Sequence, residues 1–303
     1  MQGHIPVLKN EILNIFQEAS GTFLDGTFGG GGHTEALLEQ NPELNIIGID
    51  VDPEAKQRAE NLQKNYPKRF KFVGINFSEL DTLQEKFSGI LLDLGVSSFQ
   101  LDDGKRGFSF RQDGPLDMRM NPEKGLSAQV FLKTASKEAL VEAIRDAGEE
   151  PQWRSVVNGI LAHRDTEAWD TTLEFVHFLE THTAVNRSKK PGIHAATRVF
   201  QGLRIAVNQE LEHLQIGIKK AFEALTEQGI LAIITFHSLE DRIVKQHFYE
   251  WCGRSLNRYD AQPRQLKTVK AELGSRKPIT ASQEEIIQNP RSRSAKLRFL
   301  RKL

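Results

Sequence analysis

Four consecutive glycines, Gly29 to Gly32, stand between a strand-like segment ending at Asp25 and a helix-like segment beginning at His33. Glycine has no Cβ and takes positive φ without steric cost, so such a run lets the chain leave a strand, turn sharply and enter a helix with its backbone bare. A ligand can then lie against the N–H groups that open the helix, where polar or anionic atoms are favoured. The first hundred residues suit that geometry. Strand-like segments fall at Thr22–Asp25, Asn45–Asp50, Phe70–Ile75 and Gly89–Leu94, with helix-like segments near His33–Gln40, Pro53–Asn65 and Phe77–Phe87. This is the alternation of an α/β fold whose parallel sheet is covered on both faces. Such sheets bind ligands beyond the carboxyl ends of their strands, which makes the acids there the first candidates.

Asp50 ends the second strand about 20 residues past the glycine loop, where nucleotide-binding units place a ribose-binding carboxylate. Asp52, beside Pro53, reads as a weaker candidate because it can cap the following helix. The dinucleotide fingerprint G-x-G-x-x-G/A is absent: counted from Gly29 the sixth residue is Thr34, and from Gly30 it is Glu35. A nucleoside ligand without a pyrophosphate fits better, and S-adenosylmethionine is the commonest. Its carboxylate would meet the N–H groups of Gly31, Gly32 and His33, while the His33 ring either faces the cofactor or packs the helix start. Phe77 follows the third strand, where its ring either stacks on adenine or belongs to the core. Asp93 ends the fourth strand beside the cofactor's charged centre, or simply caps that strand. Gln100 follows within reach of the methionine end or the base.

The alternation stops after Asp102. A stretch rich in Gly, Asp, Arg and Phe leads into helical patterns over Ser127–Gly148, Pro151–His163 and Thr171–Thr183. A basic link, Asn186 to Gly192, and a long amphipathic run, Ala195–Leu225, come next, before a strand resumes at Gly229–Phe236. We read one α/β domain, 1–104 and 206–303, interrupted by a helical insertion, 105–205. Residues 253–303 hold 13 Lys/Arg against 4 Asp/Glu, although the whole chain balances 40 basic with 40 acidic residues. That separation suggests a basic face for a polyanion. The single cysteine, Cys252, forms no internal disulfide and no zinc cluster, so the expectation is a reducing cytoplasm and no metal. The longest apolar stretch, Leu231–Phe236, is far short of a membrane span, and the N-terminus lacks a charged-then-apolar leader.

Beyond the glycine loop, Asp25-Gly-Thr-Phe-Gly-Gly-Gly-Gly-His33, several strings occur in order: His4-Ile-Pro-Val-Leu8, Asp93-Leu-Gly-Val-Ser-Ser98, Gln100-Leu-Asp-Asp103 and Arg106-Gly-Phe-Ser-Phe110. Further along come Asp113-Gly-Pro-Leu-Asp-Met-Arg-Met120, Ala196-Thr-Arg198, Phe236-His-Ser-Leu-Glu-Asp-Arg242 and Asn289-Pro-Arg-Ser-Arg-Ser294. Through them the chain resembles, over nearly its whole length, the bacterial small-subunit (16S) ribosomal RNA (cytosine-N4) methyltransferases that act on a decoding-centre cytidine. The resemblance implies a class I (Rossmann-like) methyltransferase fold with an inserted helical substrate domain. It also implies cofactor contacts at Gly31, Gly32, His33, Asp50, Phe77, Asp93 and Gln100. Phe99 departs from the proline that the family usually carries after the serine pair.

Methyl transfer from a sulfonium is an in-line displacement that needs positioning and no metal. A cytosine amine is a poor nucleophile, helped by acceptors for its N–H groups and by a path for the lost proton. Asp93 is the candidate for orienting the amine. Ser97 and Ser98 would assist, and His237 would be a proton acceptor unless it is a structural histidine. Arg106, Arg111 and Arg119, with Arg291, Arg293, Lys296 and Arg298, are candidate RNA contacts or ordinary surface charge. The expected partner is small-subunit ribosomal RNA or the 30S particle, with no membrane; a homodimer is one assembly the sequence allows. Rival classes are an oxidoreductase, which the glycine pattern disfavours, and an assembly factor without catalysis, which the intact strand-end acids disfavour. Cytosine-N4 methylation of DNA is set apart only by the family strings.

Overall fold

The computed structural model describes residues 5–165, 169–183, 195–255 and 268–303. The basic link Asn186–Gly192 and His4 lie outside them. In chain order the elements begin with α1 (Lys9–Ile15), β1 (Gly21–Asp25), α2 (Gly32–Gln40), β2 (Leu44–Ile49), α3 (Pro53–Asn65) and β3 (Phe70–Val73). A 3₁₀ segment, Phe77–Leu83, precedes β4 (Phe87–Asp93). Six helices follow: α4 (Ser98–Asp102), α5 (Ala128–Thr134), α6 (Lys137–Val141), α7 (Trp153–Ala162), α8 (Thr172–His182) and α9 (Ala195–Asn208). The chain ends with α10 (Glu210–Ala224), β5 (Leu225–Thr235), α11 (Ser238–Trp251), β6 (Ala271–Leu273), α12 (Gln283–Gln288) and β7 (Lys296–Lys302).

The chain divides into two compact units, Met1–Gly95 with Leu211–Leu303, and Val96–Glu210. The first unit contains one seven-stranded sheet in the order β3-β2-β1-β4-β5-β7-β6. Its first five strands run parallel, and β7 is antiparallel to both neighbours. Alternation along each strand serves two cores. Leu24, Ile90, Leu92, Leu231 and Ile233 pack with Ile218 and Phe222 of α10 and Val244 and Phe248 of α11. Their strand neighbours Phe23, Leu91, Ala232 and Ile234 pack with Ile12 of α1, Leu37 of α2 and Ala59 of α3. Both faces are thus apolar, as parallel strands require. The order of strands reverses between β1 and β4, the switch point where such sheets open a crevice.

The second unit is helical, built around Trp169, Phe175, Leu140, Ile144, Val156, Ile160, Val199 and Leu203. Trp169 satisfies its indole by donating to the His163 carbonyl at 3.0 Å. The unit starts earlier than residue 105 because Val96 and Leu101 already pack in its core, and it ends later than 205 because α9 runs to Asn208.

Several elements differ from the sequence reading. The Ala195–Leu225 run is broken: Gln209 has φ 50°, and Asn208 turns its side chain to donate to the Met118 and Arg204 carbonyls while accepting from the Met120 N–H. Arg204 and Glu210 close the break with two hydrogen bonds, at 2.7 and 2.9 Å. Apolar periodicity continues on both sides, which hides the break. The helix expected over Phe77–Phe87 is the 3₁₀ segment to Leu83, because Phe87 already pairs with Leu225 in the sheet. Ser136 starts a new helix within Ser127–Gly148 by capping it.

Two cations of the basic tail have a structural partner, Asp241. Arg298, in β7, is buried and holds Asp241 of α11 through two hydrogen bonds, Nε to Oδ1 at 2.7 Å and Nη2 to Oδ2 at 3.1 Å, with Lys296 3.7 Å away. Burial pushes the Asp241 carboxyl up, but Arg298's bonds and charge, with Lys296, outweigh it and hold it below the usual range. Neither cation is the free RNA contact expected from charge alone. Arg298→Ala is expected to cost about 3 kcal/mol of stability in urea unfolding, because it strands a largely buried carboxylate. Since a depressed carboxyl stabilises above its ordinary pKa and loses that effect as it protonates, this loss should shrink in acid, below about pH 4.

Candidate active site

The site begins where β1 hands over to α2. Asp25, almost fully buried, accepts from Thr34 Oγ1 at 2.6 Å and from the Thr27 N–H at 3.3 Å, so it ties the strand end to the helix start. Burial raises its carboxyl above the ordinary value, with the Thr34 bond, His33 and the Thr27 N–H acting in the opposite sense. A Cβ on Gly26 would run into the Leu92 side chain, which would have to shift to admit it. Gly31 has φ 77°, the left-handed region, and serves as N-cap of α2 with no side chain capping the helix. The Gly31 N–H donates back to the Phe28 carbonyl at 2.7 Å. This corrects the expectation that all three N–H groups of Gly31, Gly32 and His33 face the ligand. The Gly32 and His33 N–H groups occupy the first turn, which has no partners within its own helix.

Asp50 follows β2 and braces the loop from the other side. Its Oδ2 accepts from the Gly29 N–H at 2.7 Å and its Oδ1 from the Asp52 N–H at 2.9 Å, while Arg58 Nε reaches the Gly29 carbonyl at 2.9 Å. Burial lifts the Asp50 carboxyl to about 6 against the pull of the two backbone donors. Each oxygen retains a second lone pair for a ribose hydroxyl. Asp52 is the N-cap of α3, accepting from the Glu54 N–H at 3.1 Å.

At the end of β4, the Asp93 N–H donates to Thr27 Oγ1 at 2.6 Å, fixing the strand end to the glycine loop. Its Oδ2 lies 3.5 Å from Nε2 of His33, the second residue of α2. His33 is 8% exposed; both of its ring nitrogens and Asp93 Oδ1 are buried without a hydrogen-bond partner among the described residues. Phe77 opens the 3₁₀ segment after β3, partly buried, with its ring against Gly217 of α10, where a Cβ would overlap it. Core contact is therefore part of its role. The neighbouring Ser78 Oγ is 2.9 Å from His213 Nδ1.

Other expected residues have structural uses. His237 is the N-cap of α11: Glu240 Oε2 accepts from the Phe236 and His237 N–H groups, and His237 Nδ1 accepts from the Glu240 N–H at 3.5 Å. Its Nε2 lies 3.1 Å from Glu240 Oε1 without hydrogen-bond alignment. The ring thus has a structural use as a cap. In the second unit, Ser97 and Gln100 form the capping box of α4, with Ser98 its first residue. Arg106 is buried and donates to the Arg119 and Met120 carbonyls, so it is not a phosphate contact. Arg119 is paired bidentately with Asp117. Arg111 and Arg293 are exposed, and Arg291 is partly so.

Thr27, Thr34 and Arg58 were not singled out from sequence. The two threonines flank the glycines within the loop string, which was the available signal; nothing local ties Arg58 to a carbonyl 29 residues away.

The arrangement suits a nucleoside with a charged, methyl-bearing end: an uncapped helix start, a carboxylate with spare lone pairs, and a cluster of unmatched buried polar atoms. Among the described residues, no group of three or more His, Cys, Asp or Glu could hold a metal ion, and no helix is long and apolar enough to cross a membrane. The model of the MraW methylase family matches residues 1–303. A protein of Picosynechococcus sp. named ribosomal RNA small subunit methyltransferase H is 43% identical over 297 residues, 98% of this chain and 95% of that one. Its namesake in Heliobacterium modesticaldum is 40% identical over 309 residues, 99% of this chain and 98% of that one. That of Methylobacterium nodulans is 43% identical over 307 residues, covering 98% and 90% respectively.

Proposed function

The chain belongs to the MraW methylase family, and on that premise we propose that it transfers a methyl group from S-adenosylmethionine to the exocyclic N4 of a cytidine in the decoding centre of 16S ribosomal RNA. It is an rRNA methyltransferase with an α/β, mostly parallel sheet. The observation that carries the chemistry is the His33–Asp93 pair at the sheet's switch point, where both ring nitrogens of His33 and Asp93 Oδ1 are buried without hydrogen-bond partners among the described residues.

When bound, the cofactor supplies an electrophilic methyl group on a sulfonium centre. The Asp50 carboxylate would take the ribose hydroxyls, the Gly32 and His33 N–H groups the amino-acid carboxylate, and the partly buried Phe77 ring the adenine. Gln100 is assigned to the methionine end or the base, with Ser97 and Ser98 as auxiliary groups. Asp93 Oδ1 accepts an N–H of the cytosine amine, which turns its nitrogen toward the methyl group and draws electron density onto it. Arg111 and Arg293, which are exposed, and Arg291, which is partly so, are assigned to phosphate. The second unit, Val96–Glu210, would recognise the substrate. The RNA enters as free rRNA or as the 30S particle in the cytoplasm, with a homodimer as the assembly to test.

Incubating the protein with labelled methyl donor and, in parallel, undermethylated small subunits, free ribosomal RNA and DNA tests this. Label in the RNA arms at cytosine N4 is the expected result; label in DNA alone would overturn it.

Asp50 gives a pH prediction. Its carboxyl sits at about 6, above the ordinary 3.8, so the group favours folding below about pH 4, and this contribution is lost as pH rises through about 6. At neutral pH the ionised form therefore costs folding about 3 kcal/mol. The ionised form is also the better acceptor for ribose. Calorimetry with S-adenosylhomocysteine should show affinity about tenfold weaker near pH 5 than near pH 7, because about nine-tenths of Asp50 is protonated there. Asp50→Asn should bind more weakly at neutral pH and flatten this dependence.

A further inference from the structure

An unmatched polar atom in a protein interior costs about 1–3 kcal/mol, and most native structures contain few. Here three gather at one point: Nδ1 and Nε2 of His33 and Oδ1 of Asp93. Both main chains are anchored, His33 by the left-handed Gly31 that starts α2 and Asp93 by its N–H bond to Thr27. The freedom left is in the side chains. Asp25, an acid that also interacts with this imidazole, has its oxygens engaged by Thr27 and Thr34. Asp93 is therefore the carboxylate left for His33. The 3.5 Å gap between Nε2 and Oδ2 is just longer than a hydrogen bond, and catalytic hydrogen bonds are often long before substrate arrives.

We propose that His33 is a positioning residue for Asp93: Nε2–H donates to Asp93 Oδ2 and so turns Oδ1 toward the amine of the target base. The assignment rests on the reading of Asp93 as the amine-orienting group. A carboxylate free to rotate would present either oxygen in many directions; one held at Oδ2 presents Oδ1 in one. The imidazole thus acts on the reaction through Asp93, while the His33 main-chain N–H is unaffected by changes to the ring.

Three measurements test this. In the cofactor-free protein, the ring ¹⁵N signals of His33 should move on Asp93→Asn while the other histidine signals stay in place. His33→Ala should lower kcat about 30-fold with affinity for S-adenosylhomocysteine within about twofold, and His33→Gln, which keeps an N–H donor, should recover part of the loss. In an Asp93→Asn background, His33→Ala should lower kcat no further, since residues acting as a unit are not additive. Wild-type turnover by Asp93→Asn would overturn the underlying reading of Asp93. Impaired Asp93→Asn with unmoved His33 signals, a wild-type His33→Ala, or losses that multiply would overturn the positioning role alone.

Discussion

Asp93→Ala is expected to lower methyl-transfer turnover about a thousandfold while leaving RNA binding and folding close to wild type. The magnitude is that of removing a preorganised polar group aimed at the reacting centre, worth about 3–4 kcal/mol in the transition state. The insensitivity of folding follows from the local bonding. The anchor of this residue is its main-chain N–H on Thr27 Oγ1, which alanine keeps, whereas its Oδ1 makes no hydrogen bond among the described residues. Removing Oδ1, an unmatched buried acceptor, is neutral or slightly stabilising, and at Oδ2 the variant gives up only the 3.5 Å approach of His33, so the net change in stability is small. An inactive variant with an unchanged or raised melting temperature is thus the signature of a functional carboxylate. An active variant would remove Asp93 from the chemistry, and an inactive but poorly folded one would mark it as a structural strand-end cap. RNA affinity, measured separately, should stay within about twofold, because phosphate contacts supply most of it.

The parallel half of the sheet was legible because its strands are short apolar runs ending in acids or polar loops, and Asp50 stood at the spacing a ribose site demands. The β7 strand was not. In Lys296–Lys302 cations alternate irregularly with apolar residues, and the fact that makes Arg298 a core residue is a carboxylate 57 positions earlier, Asp241. Charge counting therefore assigned to RNA what the fold uses to close its own sheet. Arg106 misled in the same way: its bonding partners are carbonyls at 119 and 120, which carry no sequence signal. The helix break at Gln209 escaped because periodicity reports which face is apolar and not whether the axis continues. At His237 the sequence allows a proton acceptor or a structural histidine, and the capping box with Glu240 gives the ring a structural use that local sequence does not reveal. His33 reads from sequence as facing the cofactor or packing the helix start; that its ring nitrogens have no hydrogen-bond partner among the described residues, and that Asp93 of β4 lies beside it, carries no sequence signal.

Gly31→Val tests whether the glycine loop has the shape described. At φ 77° a β-branched side chain is strained by about 1–2 kcal/mol from the backbone alone. Its Cβ would also come 2.6 Å from Cζ of Phe28. That ring cannot retreat: it stacks on Phe70 at 5.3 Å, and the Gly48 backbone lies so close behind it that a Cβ there would be 2.8 Å from Phe28 Cδ2. Overpacking of this kind adds about 1–3 kcal/mol, for a total near 4 kcal/mol and a fall in melting temperature of about 10 °C. The functional loss should be larger than the stability loss. Displacing Phe28 moves Thr27, which holds the Asp93 N–H, and reorients the first turn of α2, so affinity for S-adenosylhomocysteine should fall more than a hundredfold even where the protein remains folded. Gly31→Ala carries the same Cβ without the branch and should show both effects at reduced size. Wild-type affinity in the valine variant would mean that the loop does not cradle the cofactor, whatever the fate of its melting temperature.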